Sequence, residues 1–237
     1  MTALRSALFA LALVVITPPY ALLALCSWVL PRLVRYRIIS GWSHCAVWLA
    51  RWICGIRWQV EGLEHLPRRP AVILAKHQSA WETLAFQIIF PPQVYLLKRE
   101  LLWIPFFGWG LAMMSPIAID RARGRAALRQ LAARGAERLA QGFWIVVFPE
   151  GTRTAPGRRR KYQLGGAWLA ARTQAPVVPV AHNAGLRWPR NGFLKRPGVI
   201  TVRIGPTIDS TGRTPEAINA LAETWIEEQQ HALCPSS

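Results

Sequence analysis

Ala71-Val72-Ile73-Leu74-Ala75-Lys76-His77-Gln78-Ser79-Ala80-Trp81-Glu82-Thr83 places two unlike patterns side by side. Five apolar residues without polar alternation predict a strand covered on both faces. Ser79-Ala80-Trp81-Glu82 has the spacing of a capping box, and the apolar residues that follow to Phe90 continue as a helix. Strand, loop and helix in this order form the repeating unit of a parallel α/β sheet. Similar runs recur at Arg57–Glu61, Gln93–Leu97, Pro116–Ile119, Phe143–Phe148, Val177–Val180 and Val199–Ile204. Helical patterns accompany them at Gly124–Gln141, Gln163–Arg172 and Pro215–His231. The expected fold class is therefore α/β: a largely parallel twisted sheet of about seven strands, flanked by helices. The sequence shows no internal repeat and no long linker. In such sheets ligands gather at the loops beyond the carboxyl ends of the strands.

The N-terminus reads differently. From Ser6 through Pro31 there are 26 residues without a charge, more than the roughly 20 needed to span a bilayer. Pro18 and Pro19 interrupt this segment, where a proline pair kinks or breaks a helix. Two readings fit: a kinked span, or a helical hairpin dipping into one leaflet with Pro18-Pro19 at or near its turn. Arg32, Arg35 and Arg37 follow at once, which puts the remainder on the cytoplasmic face of the inner membrane. Leu33 to Cys54 mixes Trp42, Trp48 and Trp52 with Arg and aliphatic residues at helical spacing, as an amphipathic helix lying in the interface does. Residues 1–54 are read as a helical membrane anchor and 55–237 as the α/β domain.

Composition narrows the function classes. Of 237 residues, 52% are apolar and 17% charged, which excludes a disordered chain or a coiled-coil rod. Lys and Arg total 29 against 12 Asp and Glu, a formal charge of +17, so the partner is anionic. Twelve Trp favour a membrane surface over nucleic acid, for which no motif is present. Four Cys without a C-x-x-C pair give neither a zinc ribbon nor a disulfide scaffold.

Four loops carry candidate chemistry. His77 follows the strand that ends at Ala75, and Glu82 lies in the first turn of the next helix. A neutral imidazole can take a proton as a general base, and a carboxylate on its far nitrogen would fix the tautomer. The plainer role for Glu82 is to cap the helix at Ser79. Lys98 and Arg121 end two further strand runs, where they can reach a shared ligand or form a solvated basic rim. Phe106 and Phe107 are packing residues or the lining of an acyl groove. After Phe143–Phe148 comes Pro149-Glu150-Gly151-Thr152-Arg153. Here glycine lets backbone approach a ligand, Thr152 offers a hydroxyl, and Arg153 presents a fork for phosphate oxygens. Glu150 is unusual among cations unless it pairs with one or holds a substrate hydroxyl. Pro179 marks a break or edge in the sheet, and His182 beyond it has a surface or capping role, or serves as a second acid or base.

Taken together, His77-x4-Glu82, Phe106-Phe107-Gly108 with Ile119-Asp120-Arg121, Phe148-Pro149-Glu150-Gly151-Thr152-Arg153 and Val178-Pro179-Val180 resemble the four ordered motifs of the 1-acylglycerol-3-phosphate acyltransferases. The resemblance covers about residues 71 to 181. It implies a seven-stranded α/β sheet behind a membrane-anchoring helical hairpin, and makes 55–237 a glycerolipid acyltransferase domain. It also implies a reaction. His77 would deprotonate the sn-2 hydroxyl of lysophosphatidate, which attacks an acyl thioester of coenzyme A or acyl carrier protein to give phosphatidate. Glu82 would orient His77. Lys98, Arg121, Gly151, Thr152 and Arg153 would hold the glycerol phosphate, and Glu150 would help place the acceptor. No metal, acyl-enzyme or cofactor beyond that co-substrate is implied. The family usually has Asp in place of Glu82 and often Asn in place of Lys76. Lys76 either aids phosphate binding or makes a charged His77 costlier.

Arg158-Arg159-Arg160-Lys161 and the segment from Arg187 to Arg196 interleave cations with apolar residues, suiting an anionic membrane surface or an acidic carrier protein. Two other functions fit the same residues. One is an acyltransferase for another lysolipid, such as lyso-ornithine lipid; the other is a basic membrane-binding module without catalysis.

Overall fold

In the computed structural model, which describes residues 1–119 and 124–234 but not the side chains of Lys98, Phe107, Ile119 and 124–127, all seven strand runs pair into one sheet. The strands are β1 (Ile56–Glu61), β2 (Val72–Ala75), β3 (Gln93–Lys98), β4 (Ile117–Ile119), β5 (Trp144–Val147), β6 (Val177–His182) and β7 (Gly198–Ile204). Their order is β1-β7-β6-β2-β5-β3-β4. The five strands from β6 to β4 are mutually parallel; β7 is antiparallel to β6 and carries β1 parallel to itself at the edge. The expected α/β class and strand number match this sheet.

Among the described residues the α-helices are α1 (Thr2–Cys26), α2 (Arg32–Cys54), α3 (Trp81–Ile89), α4 (Phe107–Met113), α5 (Gly124–Ala140), α6 (Gly165–Thr173), α7 (Ala184–Arg187) and α8 (Pro215–Leu233). Strand alternation divides the core into two layers. Ala71, Ile73 and Ala75 face α2 and α3, together with Trp144 and Val146 of β5. Val72 and Leu74 face α5, α6 and α8, together with Ile145 and Val147. Every residue of β2 and β5 is buried, which is why their sequences are unbroken apolar runs. Gly166 lets α6 lie close against this layer, since a Cβ there would stand 2.6 Å from Leu74 Cδ2.

Two expectations need correction. Pro18 and Pro19 lie inside α1, and the hairpin turns at Ser27–Pro31 instead. A helix in apolar surroundings still satisfies more backbone groups than any alternative, so two missing donors do not end it. Pro31, extended at ψ 144°, separates the helices. Nor does α2 lie alone at an interface. Its Tyr36, Ile39, Ala46, Val47, Ala50 and Cys54 are buried in the two layers, while Trp48 and Trp52 remain exposed. Trp42 donates to Thr17 Oγ1 across the hairpin at 3.2 Å. Residues Thr2–Val29 are long and apolar enough to cross a membrane, with a mean hydropathy of 2.2.

Pro179 likewise marks no break in β6, a central strand. Its carbonyl accepts from Gly205 N–H at 2.9 Å, on the β7 side. The β6–β7 ladder runs from Val180 to His182 opposite Ile204 to Val202, so it has ended before Pro179. The absent N–H faces a site where no ladder bond is due.

Candidate active site

Residues 76 and 77 leave the end of β2 with the strand's alternation intact, so their side chains part company. His77 turns to the α3 layer, where its Nδ1 lies 2.9 Å from Glu82 Oε1. The same oxygen accepts Gln78 N–H at 2.9 Å and Ser79 N–H at 2.7 Å. The capping role and the orienting role are therefore one arrangement, and the Glu82 arm reaches the ring. Glu82 is fully buried. Burial alone would raise its carboxyl, but the charges of His182 and His77 and the hydrogen bonds from His77 and Ser79 carry it below the ordinary value. An ionised carboxylate only accepts, so Nδ1 carries a proton, and in the neutral tautomer this arrangement selects, the lone pair is on Nε2. The ring stacks on Phe148 at a centroid distance of 4.0 Å, which fixes its plane.

Phe148 stands there because β5 is the neighbour of β2, with Val147 opposite Leu74. The loop after β5 thus folds against the loop after β2. Thr154 N–H donates to the His77 carbonyl at 2.7 Å, and His77 N–H donates to Glu150 Oε2 at 2.9 Å. Glu150 is buried and its other oxygen lies 2.9 Å from Lys76 Nζ. Expected to help place an acceptor, it is absent from the cleft lining and accepts the His77 backbone N–H. Lys76 is also buried and directed away, so it offers no charge to a phosphate in the cleft.

The open side of His77 faces a cleft of about 430 Å³. Its walls are apolar: Ala24, Ile39 and Trp42 from the hairpin, Leu84 and Leu97 from α3 and β3, and Phe106, Leu111 and Met114 around α4. Gly151, Thr152, Arg153 and Arg190 form part of its rim. Gly151 has a φ of 69° and its N–H donates to the Phe148 carbonyl, so it shapes the turn rather than offering a donor. Among the described residues no acid pairs with the Arg153 guanidinium; its carbonyl is held by Arg190 Nη1 at 2.7 Å. Lys98 closes β3, but its side chain, like the whole of Arg121, lies outside the described residues. Among the described residues no cluster of three His, Cys, Asp or Glu is arranged to hold a metal ion.

Sequence reasoning missed a buried polar layer behind His77. His182, expected at a surface or cap, is fully buried; its Nε2 donates to the Lys76 carbonyl at 2.8 Å, and its Nδ1 accepts Ala184 N–H at 3.3 Å. Both partners suit the neutral ring. Burial is the main reason its pKa falls below 6.5, with Glu82 opposing. The unfolded chain then binds a proton that the native state refuses, so stability falls as pH drops below 6.5. The slope is at most about 1.4 kcal/mol per pH unit. Denaturation at about pH 7.5 and pH 5.5 should show this loss in wild type and a smaller loss in His182→Gln.

A strand-tip histidine with one nitrogen held by a carboxylate, lining an apolar cleft rimmed by arginine, has the geometry that a general base for an amphiphilic substrate requires. The comparisons agree in kind. A profile of the family described as Acyltransferase matches residues 57–183. The chain is 48% identical over 211 residues to a 1-acyl-sn-glycerol-3-phosphate acyltransferase of Pseudomonas aeruginosa, covering 87% of this chain and 82% of that one. It is 31% identical over 179 residues to a 1-acyl-sn-glycerol-3-phosphate acyltransferase alpha of Mus musculus, covering 74% of this chain and 63% of the relative. The crystal structure of a 1-acyl-sn-glycerophosphate (LPA) acyltransferase from Thermotoga maritima shares the fold, with a TM-score of 0.80 at 22% identity over 100% of this chain and 97% of that one. This chain belongs to the Acyltransferase family and is an enzyme of that class.

Proposed function

We propose that the enzyme transfers an acyl group from a thioester of coenzyme A or acyl carrier protein to the sn-2 hydroxyl of lysophosphatidate, giving phosphatidate. The observation that carries this reading is His77, with Nδ1–H on Glu82 and Nε2 open to the apolar cleft. Nε2 takes the hydroxyl proton as the oxygen attacks the thioester carbonyl carbon. The tetrahedral intermediate collapses, the carbon–sulfur bond breaks, and the imidazolium returns the proton to the leaving thiolate. Glu82 stabilises the imidazolium meanwhile. Arg153 and Thr152, with Lys98 and Arg121, hold the phosphate, and the cleft takes acyl chain.

The hairpin contacts the same domain along its length, which favours lying in one leaflet over crossing the bilayer. Near its start Ser6 Oγ accepts Lys195 N–H at 2.9 Å and Phe9 meets Trp188 edge-on at 5.2 Å. Beyond its turn Arg35 donates to Ser115 Oγ at 2.9 Å. Leu4, Leu8, Leu11, Val14 and Val15 form its exposed side. The Arg32, Arg35 and Arg37 cluster favours the cytoplasmic face. Residues 1–54 then act as anchor and 55–237 as the catalytic domain, with the basic segments toward anionic lipid.

The test offers labelled acyl-coenzyme A and acyl carrier protein separately to membranes containing the protein. Lysophosphatidate is compared with lysophosphatidylcholine and lyso-ornithine lipid. Labelled phosphatidate is expected; transfer only to another acceptor would move the substrate, and no transfer by folded protein would leave a binding module. Arg153→Ala should raise KM for lysophosphatidate about 10- to 100-fold, the worth of a hydrogen bond to a charged group, with kcat nearly kept.

A further inference from the structure

Lys76 and Gln78 flank the base, and both reach α8, a helix outside the matched family segment. Lys76 Nζ lies 2.8 Å from Glu227 Oε1, 2.9 Å from Glu150 Oε1 and 3.2 Å from the Arg158 carbonyl. The buried ammonium donates to Glu227 and to the Arg158 carbonyl, and it meets Glu150 Oε1 as an ion pair without hydrogen-bond geometry. Tyr162 fixes Glu227 by donating its hydroxyl at 2.8 Å. One turn along α8, Gln230 Oε1 accepts from Gln78 Nε2 at 2.6 Å, while Gln230 Nε2 donates to the His182 carbonyl at 2.8 Å.

Buried ion pairs add little to stability relative to apolar packing, because desolvation cancels most of the attraction. What this one supplies is direction. Lys76 holds Glu150 at one oxygen, and the other oxygen accepts His77 N–H. We propose that Glu227 is a positioning residue for the base, acting through Lys76 and Glu150 on the His77 backbone, with Gln230 steadying the next residue. The C-terminal helix thereby belongs to the catalytic apparatus without touching substrate. This rests on His77 as the base of the transfer proposed above.

The test is a double-mutant cycle of Glu227→Gln and Lys76→Met, read as kcat, KM and hydrogen exchange of the peptide spanning Lys76 to Ala80. Glu227→Gln should lower kcat about tenfold at unchanged KM and speed exchange of the His77 amide. In the Lys76→Met background it should cost nothing further. If the single variant does not fold, Lys76→Met/Glu150→Gln/Glu227→Met removes the three ions together and should fold with lowered kcat and fast exchange. Wild-type kcat and exchange in Glu227→Gln, additive losses, or a fall in melting temperature alone would overturn the proposal. Wild-type protein inactive on every lysolipid would defeat the transfer reading, while the exchange cycle would still judge the coupling.

Discussion

His77→Ala is expected to abolish acyl transfer, lowering kcat by at least the ~10²–10⁴-fold typical of a lost general base, while the protein remains folded. The ring's one polar contact among the described side chains is with Glu82, and its plane rests on Phe148. Its backbone bonds to Glu150 and Thr154 do not depend on the side chain. The substitution leaves a small space at the cleft wall, where 15% of the side chain is already exposed. Melting temperature should therefore move by a few degrees at most. Initial rates at saturating lysophosphatidate and matched abundance decide the matter. A variant with wild-type turnover would remove His77 from the mechanism.

Glu82→Gln should lower kcat about 10²–10⁴-fold with KM nearly unchanged. An amide oxygen can still accept Gln78 and Ser79 N–H, so the helix keeps its cap. The negative charge facing the imidazolium is lost, and an NH₂ group takes the place of buried Oε2, which accepts no bond among the described residues. The pH dependence of stability gives a second readout. Burial raises the Glu82 pKa, but the histidine charges and hydrogen bonds outweigh it, and the net value lies below 4.5. A depressed folded pKa means that the unfolded chain takes the proton first. The stabilisation is present above 4.5 and is lost as pH falls through the lower folded value. Wild type should lose this increment in acid, and Glu82→Gln should not. Equal acid sensitivity in both would place the carboxylate's ionisation outside the native balance.

Most of the sheet was legible because each strand announces itself locally. Ala71–Ala75 and Phe143–Phe148 are apolar on both faces, which only an interior parallel strand requires. The contact of His77 with Glu82 was legible for the same reason: the two belong to one loop and one helical turn. Phe106 was a candidate for the acyl groove and lines the cleft. The hairpin turn was misplaced because proline's cost was judged as in water, where a broken helix finds other partners. The contacts of Glu150 with Lys76 and the His77 backbone were not legible, because an acid in a loop rich in cations reads the same whether it is buried or exposed.

Local periodicity by itself determined the strands, the helices and the pairing of His77 with Glu82, since these depend on spacings of two to five residues. Tertiary structure alone decided what each buried polar group faces. Lys76 and His77 are adjacent in the chain, yet alternation sends one to Glu227 on α8 and the other to Glu82 on α3. No spacing encodes that Glu227, 151 residues away from Lys76, completes its shell. A buried charge takes whichever partner the packing of whole elements brings within reach.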